Sequence, residues 1–262
     1  MKKSLGQHLL VNRDAALRII GALDIRPEET VIEIGPGKEA LTSSLAGKMG
    51  AGATLILIEK DDNFAAALSD KYSNARHIRV IHGDALQEIP NCIKDLPGST
   101  PFKIIGNIPY YITGKLLRII GELGRQPAMT VLMIQKEVAE RVSAQPPGMN
   151  LLAAAVQYWA EARLLFILKP DNFSPPPAVD SAVIALVPKS AKTMEDGSRY
   201  YRFLHILFKQ PRKTVANNIS DGLELPKNEV ERRLKEANLD LNCRPHDLSL
   251  QQIAGLSNLF TA

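Results

Sequence analysis

Asn107, Pro109 and Tyr110 sit in the stretch "NIPYYIT" (107–113), and their types at this spacing suit one kind of chemistry. Pro109 cannot continue a strand ladder and fixes its own φ. It also holds Ile108 extended. Backbone carbonyls then point off the edge of a sheet, Asn107 adds a side-chain carbonyl, and Tyr110 adds a flat aromatic face. Two carbonyl acceptors and a stacking platform match a planar amine. The plainer alternative is a turn with a buried tyrosine.

A second stretch, "EIGPGKEALT" (33–42), concerns a cofactor. Gly35, Gly37 and Ala40 satisfy G-x-G-x-x-G/A, the dinucleotide fingerprint. Read from Glu33, the same loop is E-x-G-x-G, a pattern of enzymes that bind S-adenosylmethionine. Glycines at a strand-to-helix turn let backbone N–H groups approach a ligand closely. Glu59 ends the next apolar run, where its carboxylate can accept both hydroxyl protons of a ribose. Either cofactor fits so far. Asp84, in "HGDAL" (82–86), closes a third run. It can accept from an adenine amino group, with Ala85 leaving room for the ring, or it can cap the following helix. Acidic ends on three successive strands favour S-adenosylmethionine.

These residues need elements to hold them. "TVIEIG" (30–35), "TLILIE" (54–59), "IRVIHGD" (78–84), "FKIIGN" (102–107) and "TVLMIQ" (130–135) are short, rich in β-branched residues and bounded by polar or turn residues. They read as buried strands. Patterns with helical spacing lie between them, so an α/β fold is expected, with a mostly parallel sheet and helices on both faces. "ARLLFILK" (162–169) and "DSAVIALVP" (180–188) complete seven strands. The joint between them is too short for a crossover helix, so this last pair should be antiparallel. Residues 1–188 then form one domain, 189–198 a linker, and 199–262 a small all-helical domain. Helices are expected near 199–208, 211–221, 227–237 and 246–260, with Pro211, Pro226 and Pro245 punctuating them close to their starts.

Composition excludes several classes. The 262 residues are 45% apolar and 23% charged, ordinary for a chain that buries a sizeable core. No run reaches the ~18 apolar residues of a membrane span, and the start lacks the apolar region of a signal peptide. Cys92 and Cys243 have no metal-ligand spacing and read as reduced thiols of a cytoplasmic protein. His8 has no second histidine nearby, so no metal site is expected. From Arg199 onward there are ten Lys/Arg against seven Asp/Glu, and 22 against 21 elsewhere, so most of the +4 net charge lies in the C-terminal quarter. That fits contact with a polyanion, or simply a solvated helical surface.

Taken in order, "LGQHLL" (5–10), "EIGPGKEALT", "GDAL", "GNIPYYIT", "QKEVAERV" (135–142), "FSPPPAVDSAV" (173–183) and "PRKTVANNI" (211–219) resemble the small-subunit (16S) rRNA adenine N6,N6-dimethyltransferases, the KsgA family. The resemblance spans nearly the whole chain. It implies a Rossmann-like class I methyltransferase unit and dimethylation of adjacent adenosines in a 16S rRNA loop of the immature small subunit. It also implies a monomer. His8 and Leu10 would meet the methionine end of the cofactor beside Gly35 and Gly37, Glu59 the ribose, and Asp84 and Ala85 the adenine. Asn107 would lie between cofactor and target base. Phe173 would stack on the flipped base opposite Tyr110, its other reading being a core aromatic. Lys209, Arg212 and Lys213 would meet phosphate at the head of a C-terminal helix. Glu39 departs from the family, which has a small residue there, and would either repel the cofactor carboxylate or face solvent. Leu9 stands where an aromatic is usual, and Pro211 where a basic residue is common. Three other readings remain: a relative that methylates large-subunit rRNA in macrolide resistance, an NAD-dependent oxidoreductase, and an assembly factor with little catalysis. The oxidoreductase leaves "NIPYY" unexplained.

Overall fold

The computed structural model describes residues 8–50, 52–98, 100–189 and 197–261. Two compact units emerge. One runs through Ala139 and resumes over Glu161–Pro188; the other comprises Glu140–Ala160 and the residues from Lys189 onward.

The first unit is built on seven strands: β2 (Thr30–Ile34), β3 (Thr54–Glu59), β4 (Ile78–His82), β5 (Phe102–Asn107), β6 (Met129–Gln135), β7 (Ala160–Leu168) and β9 (Ser181–Pro188). Their order is β4-β3-β2-β5-β6-β9-β7. The first five run parallel, and β9 runs antiparallel to β6. This is the expected mostly parallel sheet. Every residue of β2 is buried, and all but the first of β3, as helices on both faces require. The intervening helices include α1 (Arg13–Ala22), α2 (Thr42–Lys48), α3 (Asp62–Tyr72), α4 (Ala85–Asp95) and α5 (Thr113–Gly121). Asn12, Asp61 and Asp84 cap α1, α3 and α4 by accepting backbone N–H bonds. Asp84 is therefore the cap of a helix, and β4 ends two residues earlier than expected. Helix α6 (Lys136–Val142) follows β6 and includes the division after Ala139.

The chain winds outward from β2 to β4, then returns to lay β5 beside β2 and winds the other way. At such a switch point the loops after the two central strands diverge and leave a crevice at their carboxyl ends. The opposite end is closed by a buried ion pair: Lys103 Nζ lies 2.9 Å from Glu29 Oε2, and both residues are 5% exposed.

A small antiparallel pair, β1 (Leu9–Leu10) with β8 (Phe173–Ser174), was not expected from the sequence. It ties the N-terminal segment to the proline-rich loop. Asn12 Nδ2 donates to Asn172 Oδ1 at 2.8 Å, and Val11 N–H to the Asn172 carbonyl at 2.9 Å.

The second unit contains α7 (Leu151–Trp159), α8 (Gly197–Leu207), α9 (Val215–Leu223), α10 (Lys227–Glu236) and α11 (Leu250–Thr261) around its own apolar core. Residues 140–160 belong here, whereas the boundary drawn at 188 put them in the first domain. The Tyr158 and Tyr200 rings stack at 3.9 Å, and Tyr200 Oη donates to the Ala154 carbonyl at 3.1 Å. Helical periodicity shows that α7 has an apolar face but not which core receives it. Residues 190–196 of the expected linker lie outside the described residues. Helix α9 starts at Val215 on the cap Thr214, four residues later than expected. Among the described residues no helix is long and apolar enough to cross a membrane.

Candidate active site

A cleft enclosing about 750 Å³ of space, open solvent included, lies at the carboxyl ends of β2 to β5. Gly35 and Gly37 line its floor with φ of +65° and +52°, a conformation that glycine adopts without strain. A Cβ on Gly37 would come within 3.1 Å of Leu9 Cδ2. The loop does not enter a helix at once: α2 begins only at Thr42. Ala40 thus completes the dinucleotide pattern in letters but not in shape.

Glu59 is 2% exposed and lines the cleft. Its carboxylate is held by three backbone donors: Gly37 N to Oε2 at 3.0 Å, and Lys60 N and Asp61 N to Oε1 at 2.8 Å each. A carboxylate offers about four lone pairs, which leaves capacity for one ribose hydroxyl rather than the two expected. Asp84 caps α4 and faces the cleft, so the two readings of it are compatible. Oδ1 accepts from Leu86 N at 3.0 Å, and Oδ2 lies 2.7 Å from Lys60 Nζ. Burial acts to raise this carboxyl; the Lys60 ammonium and the Leu86 N–H outweigh it and hold it below the usual range. Ala85 lines the cleft beside it.

Asn107, Pro109 and Tyr110 close the other side. The Asn107 side-chain amide donates to the His8 carbonyl at 2.9 Å, which turns its Oδ1 away from that bond. Tyr110 Oη shares a 2.7 Å hydrogen bond with Ser181 Oγ. Its ring lies 6.0 Å from that of His8 at 28°. Burial pushes the Tyr110 phenol up, partly offset by Ser181, so it stays neutral at physiological pH. His8 Nδ1 lies 2.9 Å from the Pro175 carbonyl, fixing the ring at the cleft wall. Leu10 lines a smaller pocket next door with Glu33 and Gly35, and Leu9 touches both.

Phe173 is not at the cleft. It is 4% exposed and packs in the main core with Leu10 and Leu168. Pairing of β1 with β8 turns its side chain inward, so it behaves as the core aromatic of the alternative reading. Glu39 is also resolved differently from either expectation. At φ +66° its carboxylate points to α3, with both oxygens 2.8 Å from Lys71 Nζ and Oε1 2.5 Å from Tyr72 Oη. It neither lines the cleft nor stands free in solvent.

Sequence reasoning missed Lys60, Ser181 and Tyr111. Lys60 adjoins Glu59 and could have been found; Ser181 is 71 positions from Tyr110 and carries no local signal. Glu33 is 1% exposed with Oε2 unpartnered, and burial pushes its carboxyl up to about 8. Thr42 eases that burial, but its Oγ1 makes no hydrogen bond of good geometry.

In the second unit, Lys209, Arg212 and Lys213 are all exposed. They occupy the loop before α9 rather than the helix itself. The buried Asn218 side chain shapes that loop: Oδ1 accepts from Gln210 N at 2.9 Å, and Nδ2 donates to the carbonyls of Gln210 at 3.0 Å and Thr214 at 3.1 Å. Lys213 pairs with Asp221 at 3.2 Å. On α10, Lys227, Arg232 and Arg233 are matched by Glu231, Glu236 and Glu229, so this helix contributes little free positive charge.

A doubly wound sheet with a glycine-floored cleft, carboxylates at the ends of β3 and β4 and an Asn-Ile-Pro-Tyr turn after β5 defines a class I methyltransferase that uses S-adenosylmethionine. The fold is shared with a dimethyladenosine transferase from Plasmodium falciparum, at a TM-score of 0.78 and 24% identity over 96% of this chain and 98% of that one. The 23S rRNA methyltransferase ErmE matches it at a TM-score of 0.75 and 23% identity, over 97% of this chain and 100% of that one. The chain belongs to the ribosomal RNA adenine dimethylase family, whose model matches residues 1–261. Among its relatives, the ribosomal RNA small subunit methyltransferase A of Dehalococcoides mccartyi strain CBDB1 is 35% identical over 96% of this chain and 85% of its own length. The protein of the same name from Geobacillus sp. strain WCH70 is 34% identical over 98% and 90%.

Proposed function

We propose that this enzyme dimethylates the exocyclic 6-amino groups of adjacent adenosines in a loop of small-subunit (16S) rRNA, acting as a monomer on the immature subunit in the cytoplasm. The observation that carries the reading is the Asn107 amide, tied by its nitrogen to His8 and so presenting Oδ1 at the cleft. Relatives named for the small subunit, at 34–35% identity over nearly the full chain, favour that RNA over the large-subunit alternative.

Bound S-adenosylmethionine supplies a methyl group already activated on a sulfonium. The residues supply position and charge stabilisation. Gly35 and Gly37 leave room for the cofactor, with His8 and Leu9 at its methionine end and Leu10 behind them. Glu59 accepts one ribose hydroxyl at Oε2. Asp84 accepts from the adenine amino group, and Ala85 admits the ring.

The target adenine leaves its stack to reach the cleft, as a base in a folded RNA loop can do at least cost. Tyr110, anchored on Ser181, packs against it. Asn107 Oδ1 accepts one N–H of its amino group. The Pro109 carbonyl already accepts from Ile112 N at 3.2 Å, which leaves the Ile108 carbonyl the freer backbone acceptor for the second. These two acceptors favour a pyramidal nitrogen and stabilise the positive charge growing on it. The methylated ammonium then loses its proton without a strong base. The mono-methylated amine still has one N–H, so it can re-enter for a second transfer. Lys209, Arg212 and Lys213 bind RNA phosphate at the N-terminal side of α9, where the helix end also favours anions.

The test is transfer of labelled methyl from S-adenosylmethionine to immature small subunits. Wild type should label two adenosines, with Asn107→Ala nearly inactive. Binding of the cofactor without labelling of rRNA would defeat the enzyme reading and favour an assembly role.

A further inference from the structure

Asp84 does not face the cleft alone. Lys60 follows the ribose-binding Glu59, lines the same cleft, and sets its Nζ 2.7 Å from Asp84 Oδ2. Its backbone is pinned, because Lys60 N donates to Glu59 Oε1 at 2.8 Å. The side chain is half exposed and Asp84 is 27% exposed. The pair therefore shows the cleft an acceptor and a donor side by side. Asp84 in the charged form only accepts, and an ammonium only donates through three N–H bonds. Lys60 can keep one of these on Asp84 and still offer another.

We infer that Lys60 and Asp84 together read the edge of the cofactor's purine, the carboxylate accepting from the 6-amino group and the Lys60 ammonium donating to the neighbouring ring nitrogen. This rests on the reading of Asp84 as the adenine-binding carboxylate. A 6-aminopurine carries a donor beside an acceptor on either flank of its amino group, which complements the pair. In a 6-oxopurine the oxygen would face the carboxylate. On the Watson–Crick flank its ring N–H would face the ammonium as well. With the ribose held by Glu59, the base cannot slide to a better register. Lys60 is then a specificity residue rather than a bystander that occupies Asp84.

Calorimetric titration of the full chain tests this without turnover. The ligands are S-adenosylhomocysteine, its deaminated analogue S-inosylhomocysteine, and the 1-deaza and 7-deaza forms of the parent. The proteins are wild type, Lys60→Met and Asp84→Asn; asparagine keeps the cap on α4, and Lys60 is exposed enough for its replacement to fold. Lys60→Met should weaken S-adenosylhomocysteine about tenfold, the scale of a hydrogen bond from a charged group. It should also narrow the preference over the inosyl analogue. One of the two deaza forms should bind wild type as weakly as Lys60→Met binds the parent, and Lys60→Met should not distinguish that form from the parent. If Lys60→Met binds S-adenosylhomocysteine as tightly as wild type or more tightly while Asp84→Asn loses it, Lys60 only competes for Asp84 and the inference fails alone. If Asp84→Asn also binds normally, the reading of Asp84 fails and the inference with it.

Discussion

The side-chain nitrogen of Asn107 donates to the backbone carbonyl of His8 at 2.9 Å, so a segment 99 positions away orients the residue we propose meets the target amine. Truncation removes the acceptor, and exchange to aspartate brings a negative charge against the His8 carbonyl. Asn107→Ala and Asn107→Asp should each lower the methyl-transfer rate by about a hundredfold, the cost of one group aimed at developing charge. Single-turnover transfer to small subunits gives the rate, and equilibrium dialysis with S-adenosylhomocysteine should show a much smaller loss of binding. Equal losses in both would place Asn107 in cofactor binding alone.

Glu39 points at Lys71 and Tyr72, away from the cleft. Glu39→Gln should therefore leave cofactor affinity within about twofold. Stability should fall by no more than about 1 kcal/mol, as for other partly exposed ion pairs. Calorimetry and urea unfolding read the two quantities. A tenfold change in cofactor affinity would mean that the carboxylate reaches the site after all.

Glu33 gives the stability of the fold a particular pH dependence. In the folded protein its carboxyl holds a proton up to about pH 8, against 4.5 in the unfolded chain. The native state binds the extra proton between these values, so stability contributed by this group is full below about 4.5 and declines as pH rises towards 8. Glu33→Gln should flatten that decline. Urea midpoints measured from pH 5 to 8 should converge towards low pH and separate towards high pH, with wild type the less stable at pH 8. Parallel profiles would show that Glu33 ionises normally.

Loop 209–214 should act as a unit. Lys209→Ala and Arg212→Ala should each weaken RNA binding and reduce its salt slope by about 0.7–0.9 for every phosphate left without its cation. Asn218→Ala leaves the Gln210 N–H and several carbonyls without their partner. It should cost about 2 kcal/mol of stability and weaken RNA binding, with cofactor affinity unchanged. Filter binding across a salt series checks both. An unchanged slope in all three variants would mean that this loop does not touch RNA.

Most of the first unit was legible because its signals are local. Apolar runs bounded by polar residues marked seven strands, and Asp84 could be named as the cap of the helix that follows it. The cleft residues of "EIGPGKEALT", Glu59, "GDAL" and "NIPYY" could be named because each sits at the end of such a run. What failed depended on distant partners. Phe173 looked like a projecting aromatic beside three prolines, but pairing with Leu10 turned it into the core. Glu39 looked like a threat to the cofactor until Lys71 and Tyr72 on another helix accounted for it. Residues 140–160 looked like part of the first domain because an apolar helix face does not say which core will cover it.

The sequence by itself determined the strand and helix pattern, the strand-end carboxylates, the Asn-Ile-Pro-Tyr turn and, through them, the class of chemistry. Those properties follow from periodicity and from the fixed φ of proline, which act over a few residues. Only the tertiary structure decided how the ends of β2 and β5 become neighbours. It alone put His8 on Asn107, Ser181 on Tyr110 and Lys60 on Asp84. Those contacts follow from the order and register of the strands in the sheet and from the pairing of β1 with β8, and nothing in a local window of sequence encodes either.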